Sequence, residues 1–373
     1  MTADAAGFFL REIGREHNED MRRILAASPV IAKGLTVSFT RDPDVLAIPE
    51  LFSERVKCVG FFKGDKLVGF AMLMVQKRYV DGAPRDVMYF GSAHVTEEGR
   101  HRGFLHRASD LLFGGREAWP DLGFAVVMRG NRSAEGFIGR HEPGYRAFPH
   151  NRIIGTLRAK NVLIAGPKKE SGTCVVRPAT PRDVEPIVAL LQADFKERLF
   201  APVVDTAVFL ENLARRPGCA LANHRVAEKN GRIVGTCAAW DMCRLKQTRV
   251  VRYGLKLEAL KAVHSAAAAM FGFPRLPREG EALKDVTITD WAVEERNPDI
   301  LEALLRNVYN EYRARRYNMM IVGGSIDDPA LRAADRFPGP SVLSNIVAFS
   351  RDASLLAAGR LDTSLPYVDL AML

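Results

Sequence analysis

Val95-Thr96-Glu97-Glu98-Gly99-Arg100-His101-Arg102-Gly103-Phe104-Leu105 is the stretch on which the reading of this chain turns. It follows Asp86 to Val95 (DVMYFGSAHV), whose mixed apolar residues suit a buried strand. It opens into Leu105, Ala108, Leu111 and Leu112, which recur at helical spacing. A helix starting near Gly103 turns unpaired backbone N–H groups, at the positive end of its dipole, towards the loop Arg100 to Phe104. Gly103 lets the backbone approach an anion such as a pyrophosphate with no side chain in the way. The bland alternative for this fragment is an ordinary strand–turn–helix with basic residues on a wet loop, since short Gly/Arg patterns are frequent.

The spacing carries more than the fragment does. Val95, then Arg100, then Gly103, between a strand and a helix, resembles the acetyl-CoA loop of the GNAT (Gcn5-related N-acetyltransferase) superfamily, Q/R-x-x-G-x-G/A, here Arg100-x-x-Gly103-x-Leu105. Leu105 departs from the pattern, standing where Gly or Ala is usual. Leu122 to Arg129 (LGFAVVMR) reads as the next strand, and Gly130 to Phe137 resembles the family's N-x-x-A-x-x-F segment, in which Asn131 caps a helix beside the pantetheine arm. Upstream, Val59 to Val80 reads as two strands joined by a Gly64-Asp65 turn. These elements cover most of residues 8 to 165. The resemblance implies an α/β (α+β) domain, a mixed but mostly antiparallel sheet flanked by helices, and acetyl-CoA or another acyl-CoA as donor. It implies cofactor contacts from Ala93, His94 and Val95 at the strand end, from Arg100, His101, Arg102, Gly103, Phe104 and Leu105 in the loop, and from Asn131.

The chain carries the same unit twice. Setting Arg11 (FFLREI) against Arg177 (CVVR) gives an offset of 166, and the same offset aligns Gly64-Asp65-Lys66-Leu67-Val68-Gly69 with Asn230-Gly231-Arg232-Ile233-Val234-Gly235. The polar segment Gly166 to Thr173 lies between them as a linker. The expected architecture is therefore a tandem GNAT-like pair: residues 1–165 with the acyl-CoA loop, linker 166–173, and a degenerate second domain, 174–373.

The second half lacks the loop chemistry. Its strand Asp285 to Val293 leads into Glu294-Glu295-Arg296-Asn297-Pro298, where two carboxylates stand in place of phosphate donors and Pro298 removes an N–H. This half is expected to bind no CoA, and either completes the fold or walls the acceptor pocket. Val95 aligns with Val293 at an offset of 198, so 32 extra residues fall within Arg244 to Lys284. That segment holds nine Lys/Arg against three Glu, most of the formal +9 charge, and Leu257, Leu260, Val263 or His264, and Ala267 form a helical stripe. It reads as a solvated helix or as a docking patch for an anion, either the CoA phosphates or an acidic carrier protein. No nucleic-acid module is visible.

Catalytic residues are the least legible part. Acyl transfer to an amine needs a neutral amine, oxyanion donors, a route for the amine proton and a proton for the leaving thiolate. GNAT enzymes often place a Tyr seven residues after the capping Asn; here that position is Ile138. Tyr145 or His141 could replace it, and a CoA thiolate also leaves without a dedicated acid. For the base, the position that carries Glu in some members is Tyr89, a poor base at neutral pH, while His94 has the right chemistry at the strand end. Five of the eight His fall between 94 and 150, with no H-x-x-x-H pair, so no metal is expected.

At 373 residues, 47% hydrophobic, the chain can form two packed cores. Its five Cys form no C-x-x-C pair, and no apolar run approaches the roughly 18 residues of a membrane span. The expectation is a cytoplasmic, monomeric or dimeric N-acyltransferase acting on a small-molecule or peptide amine. The open alternatives are an acyl-CoA-binding sensor without turnover and a transferase fed by a longer acyl-CoA or an acyl carrier protein.

Overall fold

The computed structural model describes residues 7–32, 35–100, 102–113, 119–136, 138, 150–254, 258, 274–357, 361 and 364–373. In chain order the main elements are β1 (Phe8–Ile13), α1 (Asn18–Ala26), β2 (Val30–Ala32), β3 (Leu35–Thr40), α2 (Ala47–Phe52), β4 (Arg55–Lys63), β5 (Lys66–Val80), β6 (Ala83–Val95), α3 (Phe104–Phe113), β7 (Leu122–Met128), α4 (Arg132–Glu135) and β8 (His150–Leu163). They continue with β9 (Val175–Pro178), α5 (Val184–Lys196), β10 (Arg198–Leu199), α6 (Thr206–Arg215), β11 (His224–Lys229), β12 (Arg232–Trp240), β13 (Gln247–Tyr253), β14 (Asp285–Val293), α7 (Pro298–Ala314), β15 (Met319–Ser325), β16 (Ser341–Ser350) and β17 (Leu365–Pro366).

Twelve strands form one sheet in the order β1-β4-β5-β6-β7-β16-β8-β15-β14-β12-β11-β9. Most neighbours are antiparallel; β6–β7 and β14–β15 are parallel. Strands equidistant from the central β16–β8 pair keep the offsets of the sequence: β5 and β12 start at Lys66 and Arg232, and β6 and β14 end at Val95 and Val293. The centre is interleaved. β16, late in the chain, lies between β7 and β8, and β8 lies between β16 and β15. The Gly166–Thr173 segment is held down rather than free. Lys168 exchanges two hydrogen bonds with the Asn310 side chain, 2.9 and 2.7 Å, and Gly166 accepts from the Tyr309 hydroxyl, 3.1 Å, both on α7.

Alternation along the strands feeds two helical layers. Val59 and Phe61 of β4 pack with Phe104 and Ala108 of α3, whereas Cys58 and Phe62 pack with Met21, Ile24 and Leu25 of α1. β5 is apolar on both faces from Leu67 to Met74 because both are covered. α7 begins with Pro298 in its first turn behind Asn297, whose side chain accepts from Asp299 N at 2.9 Å. It packs on the α3 side against Ala227, Val234 and Ile288. α2 crosses the midline: Ile48 packs with Ala238 and Trp240 of β12.

The Arg244–Lys284 insertion contains a strand that its helical stripe did not announce. β13 pairs with β3 in a three-stranded sheet, β13-β3-β2. The stripe residues Leu257, Leu260, Val263 and Ala267 lie outside the described residues.

Candidate functional site

β6 and β7 part company halfway. They pair in parallel from Met88–Gly123 to Phe90–Ala125, and then β6 runs on to Val95 and β7 to Met128 with the register ended. A two-residue bulge helps to open this split. On the β5 side, Phe70 faces His94 and Met72 faces Gly91, so Ser92 and Ala93 together oppose Ala71. Ser92 takes a left-handed φ of 52° and accepts a 2.9 Å hydrogen bond from Arg41 Nη1. Arg41 is buried, and burial pulls its pKa down.

The loop beyond the split is anchored at its start by Thr96, whose N–H reaches Val68 O at 2.8 Å. One 3₁₀ turn, Glu97–Gly99, follows. Gly103 has φ +69°, and a Cβ there would meet nothing nearer than Arg107 Nε at 3.9 Å. The glycine is thus required by backbone conformation, and the space beside it is open. α3 starts at the next residue, so the N–H groups of its first turn face the loop. Arg100 and Arg102 are exposed, Arg102 lying 5.4 Å over the Phe8 ring. Glu98 would repel a phosphate, yet it is taken up by Lys66 at 2.6 Å and Lys63 at 2.9 Å, which hold its carboxyl down to about 2.

The expected cofactor residues divide. Ala93, exposed, and His94 and Val95, half-buried, stand at the split. Phe104 is a correction at side-chain level: its ring is in the core, stacked on Phe61 at 5.2 Å, so only its backbone is available to the loop. Asn131 caps α4, its Oδ1 accepting from Ala134 N at 3.4 Å. His101, His141 and Tyr145 lie outside the described residues, and for Leu105 only the backbone is described.

The expected bases are neutral groups. Tyr89 is buried against Phe124, ring centroids 4.9 Å apart, and burial pushes its hydroxyl up to about 12. It keeps its proton at neutral pH, which corrects its candidacy as a base. His94 lies against Phe70, and burial, then Arg41, pulls its imidazole down to about 4. Sequence reading missed two cations nearby. Arg41 is one; the other is Lys246, pulled down to about 8 by burial and Arg41, which donates to the Leu373 carbonyl. Nothing in the sequence joins these positions, some 200 residues apart.

The second half keeps the bulge and closes the split. In β14, Asp290 and Trp291 together oppose Cys237, and Asp290 takes φ 45°. By the 198-residue offset, Asp290 matches Ser92 and Trp291 matches Ala93. Where Ala93 leaves the first split open, the buried Trp291 indole bridges the second, donating from Nε1 to Gly323 O of β15 at 3.0 Å. Arg198 caps the indole at 5.0 Å and is itself ion-paired to Asp194 and Asp328, 2.5 and 2.6 Å. The turn that follows holds Arg296 on Asp194, Asp328 and Glu197.

Several basic residues of the insertion are already engaged. Lys246 is on Leu373, Arg249 on Asp42 at 3.4 Å, and Arg275 on Glu281 at 2.8 Å. Among the described residues no cluster of three or more His, Cys, Asp or Glu could hold a metal ion, and no helix is long and apolar enough to cross a membrane.

No family model and no curated protein matches the sequence. Solved structures do match. N-myristoyltransferase from Saccharomyces cerevisiae with bound myristoyl-CoA superposes with a TM-score of 0.58 at 11% identity, over 94% of this chain and 80% of that one. A GCN5-related N-acetyltransferase from Sphaerobacter thermophilus gives 0.55 at 12% identity over 99% of both chains. The chain shares the fold of these two solved structures.

Proposed function

We propose that this protein is an N-acyltransferase that moves an acetyl or other acyl group from CoA to an amine by direct attack in a ternary complex in the cytoplasm. The observation that carries the reading is the open β6–β7 split ending in a left-handed Gly103 at the start of α3. A pantetheine arm can pass between the strands, and the pyrophosphate can sit on first-turn N–H groups. Ser92 and Ala93, bulged out of the ladder, supply donors for the thioester oxyanion. His94, neutral at pH 7, passes the amine proton outward. The myristoyl-CoA of the yeast neighbour supports an acyl-CoA donor. We read residues 1–165 as the catalytic half and 174–373 as a degenerate half whose split Trp291 fills.

The test is calorimetric titration of acetyl-CoA into the intact protein and Gly103→Asp, followed by thiol release with an amine panel. Binding lost in a folded Gly103→Asp variant supports the site, and retained affinity sinks it. The neutral Tyr89 and His94 favour a second reading, an acyl-CoA sensor, which binding without thiol release would select.

A further inference from the structure

A cavity of about 600 Å³ lies on the α1–α2 side of the sheet, between α2, β5 and α6, and Asp290 of the second bulge lines it. Three buried charged groups, Arg78, Asp290 and Asp369, face it together with the half-buried Arg216. Arg216 and Asp290 are an ion pair, with the guanidinium over Trp240 at 5.1 Å. That leaves Arg78 and Asp369. Arg78, only 3% exposed, donates to neutral acceptors: Gln76 Oε1 at 2.8 Å, Phe200 O at 3.3 Å and Met372 Sδ at 3.1 Å. Asp369 accepts from Ala371 N at 2.9 Å, and among the described residues neither it nor Arg78 has an ion-pair partner within 4 Å. Burial and then the neighbouring Asp290 push the Asp369 carboxyl up, and burial pulls Arg78 down.

A buried charge with no counter-charge in contact is costly, and here one of each sign lines the same cavity, the two acting on each other, and Arg216 on Asp369, only at longer range. The two are close. Arg78 touches Met372, one 3₁₀ turn from Asp369, or about 6 Å of axis. A gap wider than 4 Å, across which each charge still acts on the other, leaves room for the two charges of an α-amino acid, each with a hydrogen bond to its protein partner. Phe52, Phe195, Val204 and Phe209 give the cavity an apolar wall, and charged residues including Glu54, Lys77, Asp205 and Glu211 line the rest of it. We propose that this cavity binds a free α-amino acid with an apolar side chain, carboxylate on Arg78 and ammonium on Asp369. Arg78 is six residues along β5 from Met72 at the first bulge, about 20 Å. The occupant is therefore a second ligand and not the amine acylated at the split.

The experiment is calorimetric titration of the intact protein with L-leucine and L-phenylalanine, with L-leucinamide and N-acetyl-L-leucine as the analogues that each lose one charge. Saturable binding of an amino acid, with both analogues at least about tenfold weaker, is expected, because each leaves one buried charge unpaired. Arg78→Met is expected to lose the amino acid and keep acetyl-CoA affinity. Equal binding of leucinamide, or no saturable binding of either amino acid by about 10 mM, overturns the proposal on the wild-type protein, whether or not the variant folds.

Discussion

Ala93→Trp would copy into the first split the indole that closes the second. Trp291 bridges to Gly323 O, and Gly324 beside it eases the fit, since a Cβ there would lie a tight 3.1 Å from the ring. The matching residues of β7 are Val126 and Val127, so a tryptophan at 93 cannot lie as flat and projects into the path proposed for the pantetheine. Two strand-edge hydrogen bonds at about 1 kcal/mol each and about 80 Å² of apolar burial at about 25 cal/mol/Å² put about 4 kcal/mol at stake. That is a loss of roughly 1,000-fold in acetyl-CoA affinity. Position 93 is exposed, so the melting temperature should hardly move. The reciprocal Trp291→Ala should lose about 3–5 kcal/mol of stability and gain no CoA site, because Glu294, Glu295 and Pro298 remain. Calorimetry and thermal unfolding on both variants decide it. A folded Ala93→Trp protein that binds acetyl-CoA within about tenfold of wild type would refute the cleft.

Three further outcomes are expected. Fragments 1–165 and 174–373, made separately, should each be unfolded or aggregated by circular dichroism and gel filtration, and co-expression should restore a complex, because β8 and β16 each pair with strands of the other fragment. Two well-folded separate fragments would contradict this. His224 is fully buried with its pKa pulled down to about 4 by burial, so the unfolded chain binds the proton first as pH falls from about 6.5; the stabilising neutral state is complete above that pH and lost towards 4. Urea unfolding at pH 7 and 5 should show wild type losing about 2 kcal/mol more than His224→Leu, and parallel pH profiles would refute the assignment. Arg198→Met should cost about 3–5 kcal/mol in chemical denaturation by leaving the Asp194 and Asp328 carboxylates only their longer 3.5 Å contacts with Arg296, and a loss below about 1 kcal/mol would mean that Arg296 relieves both.

What the sequence determined by itself was local or periodic. The Val95–Leu105 loop, the strands around the Gly64 turn, the Asn131 cap and the 166- and 198-residue offsets are each written within a few neighbouring residues or in a repeated spacing. Turn chemistry, capping and alternation act at that range. Contacts across the chain were decided only by the tertiary structure. The interleaving of β8 with β16 depends on which edge each last strand finds, and neither strand's own pattern encodes it. β13 was hidden because its pairing partner, β3, lies some 200 residues earlier. Nothing local marks Arg41 and Lys246 among the 53 Lys and Arg of the chain, or Trp291 within an apolar strand. Their roles come from burial and from the strand set opposite, and these are properties of the assembled sheet.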